Sequence, residues 1–147
     1  MLEPTELLQQ FQGLKRLYHR SFKPVSQRWK LTQHELDVLL FLANNPGRDT
    51  ARDMVELRGL TKSHVALSVD HLTARGLLSQ QTDPADRRRT HLCLNPAADP
   101  IVAMAQQAQQ TFSRQLFQGL SPQERVLLGG LLSKIFRNVS EELHSDP

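Results

Sequence analysis

The sequence predicts a mainly α-helical fold that carries one small β-hairpin. Three observations predict it. Apolar residues recur at spacings of three and four along most of the chain, the period of a helix with one buried face. Two such runs open on a Ser or Thr with Glu three positions on, Thr32 with Glu35 and Ser121 with Glu124; this pairing satisfies the free N–H groups at a helix start. Only one region departs from the helical period. There, two short runs, "LLSQQ" (77–81) and "THLCL" (90–94), flank a turn-rich stretch, the pattern of a hairpin.

Taken in order, residues 5–22 read as a helix with Leu7, Leu8, Phe11, Leu14, Leu17 and Tyr18 in one stripe. Lys15, Arg16, His19 and Arg20 fall toward its end, where cations suit the helix dipole. Pro24 interrupts the pattern. The capping box at Thr32 opens a helix that buries Leu36, Leu39, Leu40 and Ala43, and "NNPGRD" (44–49) breaks it. Thr50 caps a short helix containing Ala51, Met54 and Val55, which ends near Gly59. Thr61 caps the next, "TKSHVALSVDHLTARG", and Gly76 stops it in the usual C-terminal glycine position. After the hairpin, residues 97–118 form a helix with Ile101, Met104, Ala105, Ala108, Phe112 and Leu116 on one face. Ser121, with Pro122 at the first helical position, starts the last helix, which carries Leu128, Leu131, Leu132, Ile135, Val139 and Leu143.

The order is α-α-α-α-β-β-α-α. Residues 31–95 form a compact middle segment, and residues 1–30 and 96–147 supply long helices from the two chain ends. Apolar stripe left over on those helices suits a twofold partner, so they are expected to form a dimerisation region.

Composition narrows the function. At 147 residues and 39% hydrophobic the chain is one domain of ordinary size. A net charge of +3 does not by itself select a nucleic-acid partner; the charge must be gathered on one surface. Cys93 is the single cysteine, which rules out an intramolecular disulfide and fits a reducing cytoplasm. No apolar run reaches the roughly 18 residues of a membrane span. The N-terminus "MLEPTELLQQ" lacks the basic region of a signal peptide. The protein is therefore expected to be cytoplasmic and away from membranes. No nucleophile–base motif, phosphate loop or paired carboxylates stand out, so no enzyme is expected. Neither a cofactor nor a metal is expected. His64 and His71 lie seven residues apart on one helix, about 10.5 Å along its axis, too far to share an ion.

Three of the positive charges are consecutive, shortly after a helix whose outward face is small and polar. On the helix after Thr61, Val65, Val69 and Leu72 share the buried face, while Ser63, Leu67, Asp70 and Ala74 point away, with Ala66 and His71 beside them. Lys62 and His64 occupy the first turn. A small, polar N-terminal face of this kind can enter a major groove. Lys62 would meet a phosphate or a guanine edge, Ser63 and His64 base edges or phosphate, and Leu67 a thymine methyl. The hairpin tip, "TDPADRRRT" (82–90), places Arg87, Arg88 and Arg89 behind a turn made by Asp83, Pro84 and Asp86. Asp86 can brace Arg88 through a bidentate pair. The outward guanidinium groups suit a narrow minor groove, whose negative potential offsets their mutual repulsion.

With these residues in view, the chain resembles the MarR family of winged helix-turn-helix regulators, and within it the SlyA-type members. The resemblance rests on "LTQHELDVLLFL", on "SVDHLTARGLLSQQTDPADRRRTHLCLN" and on "GLSPQERVLLGGLLSKI". It implies a homodimer that clamps a pseudo-palindromic operator in double-stranded DNA, with the recognition helix in the major groove and the wing in the minor groove. It implies a DNA-contacting set of Thr61, Lys62, Ser63, His64, Ala66, Leu67, Arg87, Arg88 and Arg89. Asp86 would orient the wing tip, and Asp70 matches a helix aspartate that pairs with arginine in the family and is expected to be neutralised. Leu67 stands where members often carry arginine, which shifts the readout to Lys62, Ser63 and His64.

Many relatives bind a small aromatic carboxylate between the dimerisation helices and the DNA-binding domain. Such a site needs a cation beside an apolar wall. Arg16, His19 and His34 lie on helices that would line it. Peroxide-sensing relatives place a cysteine in the first helix, where this chain has none; Cys93 lies on the second hairpin strand with Leu92 and Leu94 facing inward. The competing reading is a helical protein-interaction module with a basic tip and no preference among DNA sequences.

Overall fold

A computed structural model describes residues 2–145. It has the predicted helical architecture with one additional α-helix. The first helix, α1 (Pro4–Ser21), is followed after one residue by α2 (Lys23–Trp29). The stripe ends where Pro24 interrupts it, and the structure shows why the chain is still helical there. Pro24 sits in the first turn of α2, where its missing N–H has no partner to lose. Phe22 and Val25 are buried on either side of it and anchor the junction to the core.

Three helices with hydroxyl caps follow. In α3 (Gln33–Asn44) Thr32 Oγ1 accepts the Glu35 N–H at 3.2 Å, and Glu35 Oε2 accepts the Thr32 N–H at 3.1 Å. In α4 (Ala51–Arg58) Thr50 and Asp53 repeat the arrangement, each bond at 3.2 Å. The α4 helix ends on Gly59 at φ 73°, a left-handed conformation that costs glycine no Cβ clash. That turn leads to Thr61, whose hydroxyl caps α5 (Lys62–Ala74). The hairpin strands β1 (Leu78–Thr82) and β2 (Thr90–Leu94) pair antiparallel, with Gln81 opposite His91 and Gln80 opposite Leu92. A short 3₁₀ turn (Pro96–Ala98) then leads into α6 (Asp99–Leu116), and α7 (Pro122–Ser145) closes the chain.

The structure divides into two compact units, residues 1–112 and 113–147. Ala98, Ile101 and Ala105, at the start of the expected dimerisation span 96–147, are buried within the first unit. The expected spans 1–30 and 96–147 also include residues 1, 146 and 147, which lie outside the described residues.

The core of the first unit gathers Phe22 from the α1–α2 junction, Leu36 and Leu39 from α3, Met54 from α4, Leu72 from α5 and Ile101 from α6. Tyr18 packs edge-on between Phe22 and Phe112, at 4.7 and 5.1 Å between ring centroids. On the hairpin, Leu78 and Leu92 face this core and Cys93 is exposed. In the second unit Gly119, at φ 84°, turns the chain toward the Ser121–Glu124 cap of α7.

Candidate nucleic-acid interface

Helix α5 is held from behind. Val65, Ser68, Val69 and Leu72 of α5 are buried. At its far end Arg75 donates to the carbonyls of Trp29 and Lys30 at 2.7 and 3.1 Å. Glu35, buried at 6% exposure, uses one carboxylate oxygen for its cap and the other for His71 Nδ1 at 3.3 Å. These contacts leave the opposite side of α5 free. Thr61, Lys62, Ser63, His64, Ala66 and Leu67 are all exposed, Leu67 at 55%.

His64 is positioned more closely than its neighbours. Its Nδ1 lies 2.7 Å from Thr61 Oγ1, which also accepts the His64 backbone N–H at 3.4 Å. Both contacts are satisfied when the hydroxyl donates to Nδ1, which leaves Nε2–H as an outward donor. Behind it the His34 ring stacks on the His64 ring, with centroids 3.9 Å apart and planes 18° apart.

The wing tip is a closed hydrogen-bonded turn. Asp83 Oδ1 accepts the N–H groups of Ala85 and Asp86 at 2.7 and 3.0 Å. The Asp83 N–H donates to the Arg89 carbonyl at 2.8 Å, and the Arg89 N–H to the Asp86 carbonyl at 2.9 Å. Asp86 does brace Arg88, but not as a bidentate pair: one oxygen, Oδ1, accepts both the backbone N–H at 3.0 Å and Nε–H at 3.2 Å. Two residues of separation bring Nε to that oxygen rather than the guanidinium fork. The side chain of Arg88 remains 92% exposed, and Arg87 and Arg89 are exposed beside it. Arg88 and Arg89 line one side of an open groove of about 640 Å³, with Thr50, Arg52 and Glu56 of the α4 region on the other.

The base of the wing carries a cluster that sequence reasoning missed. His91 Nδ1 lies 2.8 Å from Asp49 Oδ1, and His91 Nε2 lies 2.7 Å from Asp83 Oδ2. The hydrogen bond to Asp49, then that to Asp83, raises the His91 pKa above its ordinary value. Asp83 is held down to about 2, by His91 first and then by the N–H groups of Ala85 and Asp86. Asp49 and His91 are 42 residues apart, so only the fold brings them together. Alternation along β2 was the one available signal, because it turns His91 away from the core-facing Leu92.

Two expectations are corrected. Asp70, expected to be neutralised, is exposed and makes no hydrogen bond or ion pair among the described residues; the buried acid that meets an α5 side chain is Glu35 instead. His34, grouped with Arg16 and His19, packs against α5 at its N-terminal end. Arg16 instead borders a shallow groove with Gly13, Leu17 and Arg20, and His19 is exposed next to Tyr18 on α1. Among the described residues no hydrogen bond or ring contact joins the three. A crevice beside Tyr18, Phe41, Asn44 and Arg58 does exist, of about 90 Å³. That is room for a few waters, well below the roughly 300 Å³ of a small-molecule pocket. No group of three or more metal-ligating side chains occurs among the described residues. None of their helices is long and apolar enough to cross a membrane.

A capped helix, a glycine turn, a second helix with an open N-terminal face and an adjoining hairpin together define a winged helix-turn-helix protein. Residues 29–89 match the family model described as MarR family. A proposed transcriptional regulator of the hcr operon from Thauera aromatica is 33% identical over 104 residues, which cover 71% of this chain and 62% of that protein. The match thus spans less than two thirds of that relative. Among solved structures, BpsR of Bordetella bronchiseptica, whose DNA binding is regulated by 6-hydroxynicotinic acid, is 27% identical with a TM-score of 0.70, covering 88% of this chain and 98% of that one. The transcriptional regulator SlyA shares the fold at a TM-score of 0.80 and 20% identity, covering 93% of this chain and 96% of that one. Over residues 29–89 the chain is thus similar to the MarR family, and its fold matches that of MarR-family winged-helix proteins.

Proposed function

We propose that the protein is a cytoplasmic, homodimeric transcriptional regulator that binds double-stranded DNA sequence-specifically. Residues 61–75 enter the major groove, and the wing, residues 83–89, enters the flanking minor groove. The observation that carries this reading is the pairing of two exposed surfaces on one braced scaffold: the small polar face of α5 and the arginine-bearing wing tip. Lys62 and the three wing arginines supply phosphate and groove attraction. His64, Ser63 and Leu67 supply base-edge contacts. Residues 31–95 are the DNA-binding part, and the long helices of 1–30 and 96–147 are the dimerisation part.

The dimer is supported by α7. Val126, Leu131, Ile135, Phe136, Val139 and Leu143 expose between 46% and 78% of their area along that helix. So long an apolar surface on a single chain marks an association face. The regulated DNA binding of BpsR supports a small aromatic carboxylate as effector here. Arg58 beside the Tyr18 crevice would be its cation, and the crevice must widen to admit it.

Selection from random duplexes at fixed moderate salt tests the reading. Enrichment of a pseudo-palindrome with half-sites about one helical turn apart is the expected result. Retention without any motif overturns sequence-specific binding and favours the interaction module with a basic tip.

A further inference from the structure

We propose that His91, as an imidazolium clasped between Asp49 and Asp83, is the positioning residue of the wing, so that one proton on its ring controls how firmly Arg87, Arg88 and Arg89 are presented. The inference rests on the reading of the wing as a DNA contact.

The chemistry follows from the two distances. Both ring nitrogens face carboxylate oxygens, at 2.8 and 2.7 Å. An ionised carboxylate only accepts, so both contacts are hydrogen bonds only when both nitrogens carry hydrogen. A neutral ring has one N–H. It would leave its other nitrogen lone pair against a carboxylate, and one of the two contacts must open.

What the clasp joins gives it a consequence. Asp83 organises the wing turn through the N–H groups of Ala85 and Asp86. Asp49 lies in the turn before α4, and its carbonyl accepts the Leu92 N–H at 2.8 Å. His91 therefore ties the arginine-bearing tip to the scaffold that holds α4 and α5. The charged groups facing the ring are Asp49 from the turn before α4 and Asp83 from the wing; Asp53 of α4 lies in the field of Arg48 and Arg89. Gln81, opposite on β1, is uncharged. Two carboxylates thus meet one imidazolium. Loss of the His91 proton makes the wing base more negative by one charge, which opposes a polyanionic partner.

The sign is fixed by the direction of the shift. The folded ring holds its proton more tightly than the free one, so the clasp is complete below about pH 6.5 and is lost as pH rises through the higher folded value. At the acid end Asp83 keeps its part above about 3.8 and loses it as pH falls toward about 2.

The test begins on the full chain without DNA. The His91 ring is titrated by NMR in the wild type, in Asp49→Asn and in Asp83→Asn. A midpoint above 6.5 that falls in both variants is expected; a wild-type midpoint at or below 6.5, or one unmoved by Asp49→Asn, overturns the clasp. Protection factors of the amides of Ala85, Asp86 and Arg89, which remove the intrinsic pH dependence of exchange, should fall above the midpoint in the wild type and be independent of that titration in His91→Gln. Equal protection on both sides of the midpoint overturns the positioning role. Duplex affinity should then weaken above the midpoint by up to about tenfold per pH unit for each wing engaged, the limit for one proton per wing. His91→Gln should remove this dependence, and His64→Gln should keep it. An intact clasp with no duplex bound at any pH would overturn the DNA reading and the groove role of His91, while the NMR and exchange data would still stand for the wing itself.

Discussion

Arg88 contributes little to stability, and the role proposed for it lies in binding. Its pair with Asp86 is one-sided and 92% exposed on the arginine side, and exposed pairs of this kind add little to folding. A groove contact is different, because the guanidinium meets concentrated negative potential away from bulk water. Arg88→Ala should therefore leave the melting temperature unchanged within error. In a titration against the selected operator it should weaken binding by roughly 1–3 kcal/mol, the range of a good direct contact. Unchanged affinity would remove the wing tip from the interface. Lys62 asks a different question at the same scale. It sits on the first turn of α5, exposed and ahead of the buried Val65. If it holds a phosphate, Lys62→Ala lowers affinity uniformly across sequences and reduces the salt slope by about one. Relaxed discrimination at one operator position, with the slope intact, would identify a base contact instead.

At the scale of elements, the exposed face of α5 depends on caps distant from it. Thr50 and Asp53 close α4 with reciprocal hydrogen bonds, and Thr50 is 6% exposed. The following residues of α4 bury Met54 against the core, and Gly59 then turns the chain into α5. Thr50→Ala should cost about 0.5–2 kcal/mol in chemical denaturation, the usual loss of a cap. Because Thr50 and Asp49 are adjacent, the same variant should also loosen the wing base, visible as faster amide exchange at Leu92. Loss of stability with unchanged exchange at Leu92 would show that cap and clasp act independently.

For the molecule as a whole, the two units differ in how they use their apolar residues. The first buries them in a continuous core, from Phe22 through Leu39 and Met54 to Ile101. The second has no buried residue on α7, whose Leu131 and Ile135 are 48% and 46% exposed. The proposed pairing of that face with a second copy predicts a melting temperature that rises with protein concentration. Leu131→Glu places a charge in the middle of the face. Sedimentation at micromolar concentration should then shift from dimer toward monomer. A wild-type monomer under the same conditions would refute the α7 dimer face.

The residues themselves determined whatever depends on near neighbours in the chain. The helices at Thr32, Thr50, Thr61 and Ser121 begin at their caps, because a hydroxyl and the N–H groups three residues on always lie close. The hairpin, its turn acids and its exposed arginines were legible for the same reason, and the alternation of Leu92 and Cys93 oriented β2. Local spacing was less informative at Lys23–Trp29, where the proline that ends one helical stripe begins another helix. What only the tertiary structure decided are contacts between distant segments: Glu35 with His71, His34 against His64, and His91 between Asp49 and Asp83. Each joins a side chain whose local pattern reads as ordinary solvated polarity to a partner on another element. Hydrogen bonding is a matter of ångströms in space, and periodicity along a chain carries no information about which exposed polar faces the folded core brings together.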